Sequence, residues 1–68
     1  MPTYYMNQNA QWNGDHEVHK DGCGWMPAPV NRRYLGEHTS CYTAVAAAKL
    51  YDSQADGCAH CSPSCHTS

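Results

Sequence analysis

The chain has very few of the aliphatic side chains from which small domains build a hydrophobic core. It is 68 residues long and contains no isoleucine and no phenylalanine, and its valines and leucines are Val18, Val30, Leu35, Val45 and Leu50. A domain shorter than about 70–80 residues seldom gains enough from its core alone and usually needs a disulfide, a metal or a partner. We therefore expect a single domain, residues 1–68, whose fold depends on such a cross-link.

Cysteine and histidine supply the candidates for that cross-link. The sequence has five of each: Cys23, Cys41, Cys58, Cys61 and Cys65, and His16, His19, His38, His60 and His66. A disulfide framework usually has an even cysteine count and a secretory signal. Here the count is odd, and the segment 1–6 shows no basic region followed by an apolar run. The pattern predicts a reduced, cytoplasmic chain that binds a metal, with disulfides or free thiols as the alternative.

The charge balance limits the partners that the chain can bind. Its formal net charge is -2, and its permanent cations are Lys20, Arg32, Arg33 and Lys49. Domains that bind nucleic acid usually present a basic face, so nucleic-acid binding is the less favoured alternative. No apolar stretch is long enough for a membrane span. The predicted partner is a protein, or a second copy of the chain that covers Trp and Tyr surface.

The first part of the sequence predicts a β-hairpin. Thr3–Asn7 is rich in strand-forming residues. The dipeptide Asn13-Gly14 is typical of a type I′ turn, in which both central residues have positive φ. Asp15–Lys20 would be the return strand. Alternation along that strand places Glu17 and His19 on the same face.

The middle of the sequence predicts a third strand and one helix. Arg32–Leu35 would be a short strand ended by Gly36. The helix is expected over about residues 40–52, with Thr39 or Ser40 as its N-cap. Cys41, Ala44, Val45 and Ala48 recur at the spacing of one apolar helix face. The segment would end at Asp56-Gly57, and a cysteine-rich tail follows.

Together these elements predict a small α+β fold. It would consist of a β-hairpin or three-stranded sheet, one α-helix and a cysteine-rich C-terminal tail that zinc attaches to the sheet. Trp12 and Trp25 are expected to anchor the core or a loop.

Two ligand pairs predict the metal site. His19-x3-Cys23 can share a metal because Asp21-Gly22 allows the chain to turn between them, and Cys58-x2-Cys61 has the spacing of a zinc knuckle. The pairs lie far apart in sequence, so a shared zinc would join the hairpin to the tail and contribute folding energy. Cys65 or His66 could replace His19 as the fourth ligand. Cys41 lies on the apolar helix face and is expected to be a buried small hydrophobe.

The predicted function is a non-catalytic, zinc-stabilised interaction module. A zinc-finger-type nucleic-acid-binding module and a thiol redox or sensor protein are the alternatives. A zinc held by Cys23, Cys58 and Cys61 alone would keep an open position for catalysis, with Glu17 or Glu37 as a base. Nothing in the spacing favours that arrangement over a closed structural site. A redox role is also less favoured, because Cys58 follows the helix and does not start one.

The chain resembles a group of small bacterial proteins of similar length that have no assigned activity. The resemblance covers nearly the whole chain and implies a compact bacterial cytosolic protein. It is carried by five motifs: Tyr4-Tyr5-x-Asn7, Asn13-Gly14-Asp15-His16-Glu17-Val18-His19-x3-Cys23, Asn31-Arg32-x-Tyr34-Leu35-Gly36, Gly57-Cys58-x2-Cys61 and Cys65-His66-Thr67.

A looser similarity is to the N-terminal zinc domain of the Ada DNA-repair protein and its relatives. In that comparison Cys23, Cys58 and Cys61 would match three zinc ligands, and His19 would stand at the fourth position. The resemblance implies a small β-rich zinc domain. The methyl transfer that Ada performs is not carried over, because the basic surface is missing and only the ligand frame matches.

Overall fold

The computed structural model describes residues 1–67 and shows a four-stranded sheet with one helix packed on it. The elements are β1 (Thr3–Asn7), β2 (His16–Lys20), β3 (Arg32–Glu37), α1 (Cys41–Ala48) and β4 (Ala55–Gly57), with 3₁₀ turns at Pro29–Asn31 and Pro63–Cys65. The strand order is β3-β1-β2-β4. β1 pairs antiparallel with β2 and β3, and β4 runs parallel to β2. The predicted α+β fold is confirmed, with β4 as a fourth strand that was not predicted.

The predicted hairpin forms, but the predicted type I′ turn is wrong. β1 ends at Asn7 and β2 begins at His16, so the connection is an eight-residue loop over 8–15. Gly14 has a φ of 90°, whereas no non-glycine residue within 1–67 has a positive φ, and Asn13 therefore cannot occupy a type I′ position. Instead the Asn13 Oδ1 accepts a hydrogen bond of 3.0 Å from the backbone N–H of Asp15. Asparagine often forms such local turns with its own side chain.

The third strand is longer than predicted because Gly36 does not end it. β3 continues to Glu37. The register between β1 and β3 shifts between Tyr4 and Tyr5, and Gly36, which lies opposite Tyr4, has a φ of 92°. Glycine tolerates this left-handed conformation without steric cost, so the strand passes through the bulge at Leu35, pairs again from Gly36 and continues to Glu37.

The helix is shorter than the predicted span of about 40–52. α1 ends at Ala48, and the N–H groups of Leu50 and Tyr51 bond to carbonyls three residues back, at 3.2 and 2.9 Å. Such bonds tighten the last turn of a helix and end it. The predicted apolar face is confirmed: Cys41, Ala44 and Ala48 are buried, and Val45 packs at the edge of the core.

The core is small and lies between α1 and one face of the sheet. Tyr4 and Met6 from β1 and Val18 from β2 meet the buried residues of α1, together with Ala55 and Cys65. The tryptophans do not take part: Trp12 is 94% exposed and Trp25 is 64% exposed. The expectation that Trp12 anchors the core or a loop is therefore wrong. A core of this size explains why cross-links matter to the domain.

Gly57 allows the tail to fold back over β4, and we expect Gly57→Ala to destabilise the domain by about 2–3 kcal/mol. A Cβ at this position would lie 2.7 Å from the Cβ of Cys65 and 2.8 Å from the carbonyl oxygen of Ser62. Chemical denaturation monitored by circular dichroism measures the change.

Gly24→Ala is the matched control for Gly57→Ala. A Cβ at Gly24 would meet no atom within 4 Å. We expect its effect to stay within about 0.5 kcal/mol, as for ordinary surface substitutions. Equal stability losses in the two variants would contradict the close packing of the tail against Gly57.

Candidate metal centre

Four side chains from separate parts of the chain meet at one edge of the structure. His19 lies near the end of β2, Cys23 in the turn that follows it, Cys58 directly after β4, and Cys61 three residues later. One ligand atom from each residue lies within 4.8 Å of every other, so this cluster could hold a metal ion. These are the residues that the two ligand pairs of the sequence singled out.

Local backbone structure brings each pair together. The N–H of Cys23 bonds to the carbonyl of Lys20 at 3.0 Å, which closes the turn after β2, and Gly22 has a φ of 91° within it. The parallel pairing of β4 with β2 then continues into the tail, because the N–H of Cys58 bonds to the carbonyl of Val18 at 3.0 Å. The first pair therefore depends on a turn, whereas the meeting of the two pairs depends on β4.

Each of the three thiols in the cluster accepts a backbone N–H. The donors are Trp25 for Cys23 at 3.4 Å, His60 for Cys58 at 3.4 Å and Lys20 for Cys61 at 3.3 Å. Hydrogen bonds donated to a sulfur favour its charged form. The thiolate is the form that binds a metal. The surrounding backbone therefore suits three thiolate ligands.

Burial sets the protonation of the two most enclosed members of the cluster. His19 is fully buried, and burial lowers its pKa, against an opposing effect of the Glu17 carboxylate. The neutral imidazole that results is the form that binds metals. Burial also raises the pKa of Cys58, against the hydrogen bonds from the backbone of Cys61 and His60. A positive ion would reverse this effect on Cys58, because a coordinating thiol is deprotonated by the metal.

The two nitrogens of His19 have different surroundings. Nδ1 lies 4.0 Å from the Sγ of Cys61, on the side of the cluster. Nε2 is buried and has no hydrogen-bond partner within the described part of the chain. The Oε1 of Glu17 lies 3.5 Å from Nε2. Glu17 and His19 share a face of β2, as the alternation of the strand predicted.

The remaining two cysteines form a disulfide, which corrects two predictions. Cys41, at the start of α1, is bonded to Cys65 in the second 3₁₀ turn, with 6.2 Å between their Cα atoms. Cys41 is buried as expected, but it is not a free thiol, and the prediction of a reduced chain is wrong for this pair. Cys65 was an alternate fourth ligand, and its sulfur is held in the disulfide and lies outside the cluster.

The other histidines also lie outside the cluster. The Nδ1 of His66, the second alternate ligand, is 3.0 Å from the carbonyl oxygen of Gly57 and 3.3 Å from a carboxylate oxygen of Asp56.

The three other histidines have partners of their own. His16 is paired with Asp52 at 2.9 Å. His38 is half-buried and bonds to the carbonyl of Leu35. His60 is exposed between two cluster cysteines, and its ring stacks on Trp25.

Comparison with protein-family models, with curated proteins and with solved structures finds no match to this chain. Within residues 1–67, no helix has the length and apolar character needed to cross a membrane. The class of site therefore rests on the geometry of the chain itself, which defines a small α+β domain with a His/Cys cluster that could hold a metal ion.

Proposed function

We propose that the cluster binds one zinc ion and that the ion stabilises the fold without taking part in catalysis. The supporting observation is the convergence of three sulfurs and one imidazole nitrogen within 4.8 Å. Sulfur and imidazole donors in a set of four suit zinc, which favours tetrahedral sites of this composition. Tetrahedral zinc–thiolate geometry separates two sulfurs by about 3.8 Å. The sulfurs of Cys23 and Cys58 are 4.0 Å apart, so a small contraction would suffice.

The number of protein ligands favours a structural role for the zinc. Catalytic zinc has three protein ligands and keeps a position for water, whereas structural zinc has four. With His19, Cys23, Cys58 and Cys61 all within reach of one ion, the site would be closed. When bound, zinc would supply a cross-link between the end of β2 and the tail. That role suits a domain with a small core.

Exposed aromatic residues next to the cluster support an interaction role. The ring of Trp25 stacks on His60 at 4.5 Å, and Trp25 is 64% exposed. The Nε of Arg32 donates to the carbonyl of Pro27, which follows Trp25 by two residues, and the guanidinium of Arg32 lies over the ring of Tyr5. Tyr5 in turn contacts Tyr34, which is 63% exposed. Aromatic residues are enriched where proteins contact one another.

We name Tyr5, Trp25 and Tyr34 the aromatic surface and propose that it contacts a protein. The partner that we propose to test first is a second copy of the chain.

A nucleic-acid role is less favoured because the guanidinium groups of Arg32 and Arg33 already lie over tyrosine rings, at 5.5 and 4.2 Å. A thiol redox role remains the other alternative, since Cys23 and Cys61 are only partly buried.

We propose a cytoplasmic location and a bacterial origin on the basis of the sequence. Thiolate ligands to zinc suit a reducing compartment, whereas the Cys41–Cys65 disulfide suits an oxidising one. Counting the free thiols of protein extracted rapidly from cells would discriminate between the two. Five free thiols would support the cytoplasmic location. Three free thiols and one disulfide would contradict it.

Native mass spectrometry of the purified chain tests both parts of the proposed function. We expect one zinc per chain and a population of dimers that grows with concentration. Cys23→Ser should lose most of the zinc, because it removes one of four ligands. His60→Ala is the control, because His60 lies between two cluster cysteines and is not itself in the cluster.

Substitution in the aromatic surface tests the dimer in the same experiment. Trp25→Ala together with Tyr34→Ala should shift the population to monomers while the zinc remains bound. Trp12→Ala is the matched control, because Trp12 is 94% exposed and lies outside this surface. A zinc-bound monomer at all concentrations would exclude self-association and leave a different protein as the partner. A chain that binds no zinc would contradict the proposal itself.

A further inference from the structure

The buried Nε2 of His19 is the one side-chain nitrogen or oxygen in residues 1–67 that is buried without a hydrogen-bond partner. The ring is fully buried, so bulk solvent does not reach Nε2. Buried polar groups in native proteins are nearly always hydrogen-bonded, and each exception calls for a physical explanation. The explanation here must involve the groups that face the ring on its two sides.

The two sides of the ring differ in the chemistry that they present. Nδ1 faces the cluster, 4.0 Å from the Sγ of Cys61. Nε2 faces the carboxylate of Glu17, whose Oε1 lies 3.5 Å away. A neutral imidazole carries a proton on one nitrogen and a lone pair on the other. A lone pair is needed toward a metal, and a proton is needed toward a carboxylate.

We propose that Glu17 is a positioning residue for the metal site: it accepts the Nε2–H of His19 and so presents Nδ1 to the metal. This inference rests on the proposed zinc site and adds the ligand atom and the residue that selects it. Histidines that ligate metals almost always donate their other ring N–H to a carboxylate, a carbonyl or water. In the described part of the chain, Glu17 is the carboxylate that is paired with His19.

The strand geometry makes this assignment specific to Glu17. Residues two apart in a strand point to the same face, and Glu17 and His19 occupy such positions in β2. The side chain of His19 is 0% exposed, while that of Glu17 is 26% exposed. The glutamate therefore has freedom to rotate toward a ring that is held in place. A shortening from 3.5 Å to an ordinary hydrogen-bond length of about 2.9 Å needs only a small change in its side-chain torsions.

The protonated nitrogen can be identified directly in the wild-type chain. Long-range ¹H–¹⁵N correlation spectra of the zinc-loaded protein distinguish a protonated ring nitrogen from one that binds a metal. We expect His19 to carry its proton on Nε2 and to bind zinc through Nδ1. Zinc bound through Nε2 would overturn the assignment and leave the proposed zinc site intact. A wild-type chain that binds no zinc would end both.

Substitution of Glu17 tests whether the carboxylate sets the metal affinity. Glu17→Ala should weaken zinc binding about 10–100-fold, the usual effect of losing such a partner. Glu17→Gln keeps an oxygen acceptor and should retain most of the affinity. Competition with a chromophoric chelator measures the affinity, and the electronic spectrum of the Co²⁺ form reports on the ligand geometry.

Glu37→Ala is the matched control for Glu17→Ala. It removes a carboxylate from an exposed position at the end of β3, which β1 separates from the strand of His19. We expect it to leave the zinc affinity and the Co²⁺ spectrum unchanged. If Glu17→Ala binds zinc as tightly as the wild type, with the same Co²⁺ spectrum and the same ring tautomer, then Glu17 has no positioning role.

Discussion

Removing the metal is expected to unfold the domain. The described core is confined to a few small and medium side chains around Tyr4, Met6 and Val18, and the cluster ties the tail to the end of β2. Zinc contributes about 10–16 kcal/mol of apparent binding free energy in finger peptides, and much of this appears as folding free energy. A domain of this length has a total stability smaller than that contribution. A strong chelator should therefore collapse the dispersion of the amide NMR spectrum.

A single ligand substitution should have nearly the same effect as chelation. Cys58→Ser preserves the size of a fully buried side chain but replaces a thiolate ligand by a hydroxyl, which is a poor ligand for zinc. We expect loss of the metal and a loss of stability of at least about 5 kcal/mol, because zinc binding and folding are coupled. His60→Ala, which alters the same loop but keeps all four ligands and the backbone N–H that Cys58 accepts, should remain folded. Undiminished NMR dispersion in Cys58→Ser would show that the fold does not depend on the metal.

Removing the Cys41–Cys65 disulfide is expected to cost about 3–4 kcal/mol of stability. The bond closes a loop with a sequence separation of 24. Loop-closure entropy for that length corresponds to about 3.5 kcal/mol at 25 °C. The double variant Cys41→Ala/Cys65→Ala keeps the alanine-rich packing of α1 against the sheet and removes only the cross-link and two sulfurs.

Denaturation of the zinc-loaded protein measures the contribution of the disulfide. The double variant should unfold at a lower denaturant concentration than the wild type while it still binds one zinc. A mild, non-chelating reductant should lower the stability of the wild type by a similar amount and leave the double variant unchanged. If the reductant destabilises both proteins equally, then it acts on the metal site, and the disulfide makes no separate contribution.

Much of the fold could be predicted because its signals are local. Alternation along 15–20 correctly indicated β2 and the face that holds His19, and the alanine spacing indicated the buried face of α1. The boundaries were less accurate. The Asn13-Gly14 dipeptide suggested a tight turn, but the connection between β1 and β2 is eight residues long. Within it, the side chain of Asn13 forms a local turn with the backbone of Asp15.

Two features could not be predicted because they depend on contacts distant in sequence. Ala55–Gly57 has little intrinsic preference for a strand, since alanine, aspartate and glycine are all depleted in sheets. It forms β4 because it lies beside β2, in parallel register from His16 to Val18. Whether Cys65 forms a disulfide with Cys41 or binds the metal likewise depends on where α1 packs. The odd cysteine count was compatible with three ligands and one disulfide, but it did not identify the pair.

The disulfide and the cluster hold the same short tail by chemistries that fail under opposite conditions. Cys58 and Cys61 at its beginning bind a metal only as free thiolates. Cys65 near its end is held only while it is oxidised to a disulfide with Cys41. Strong reductants would release the far end of the tail, and strong oxidants would release the near end. The domain would therefore be at its most stable within an intermediate window of ambient redox potential, and its resistance to proteolysis would fall on either side of that window.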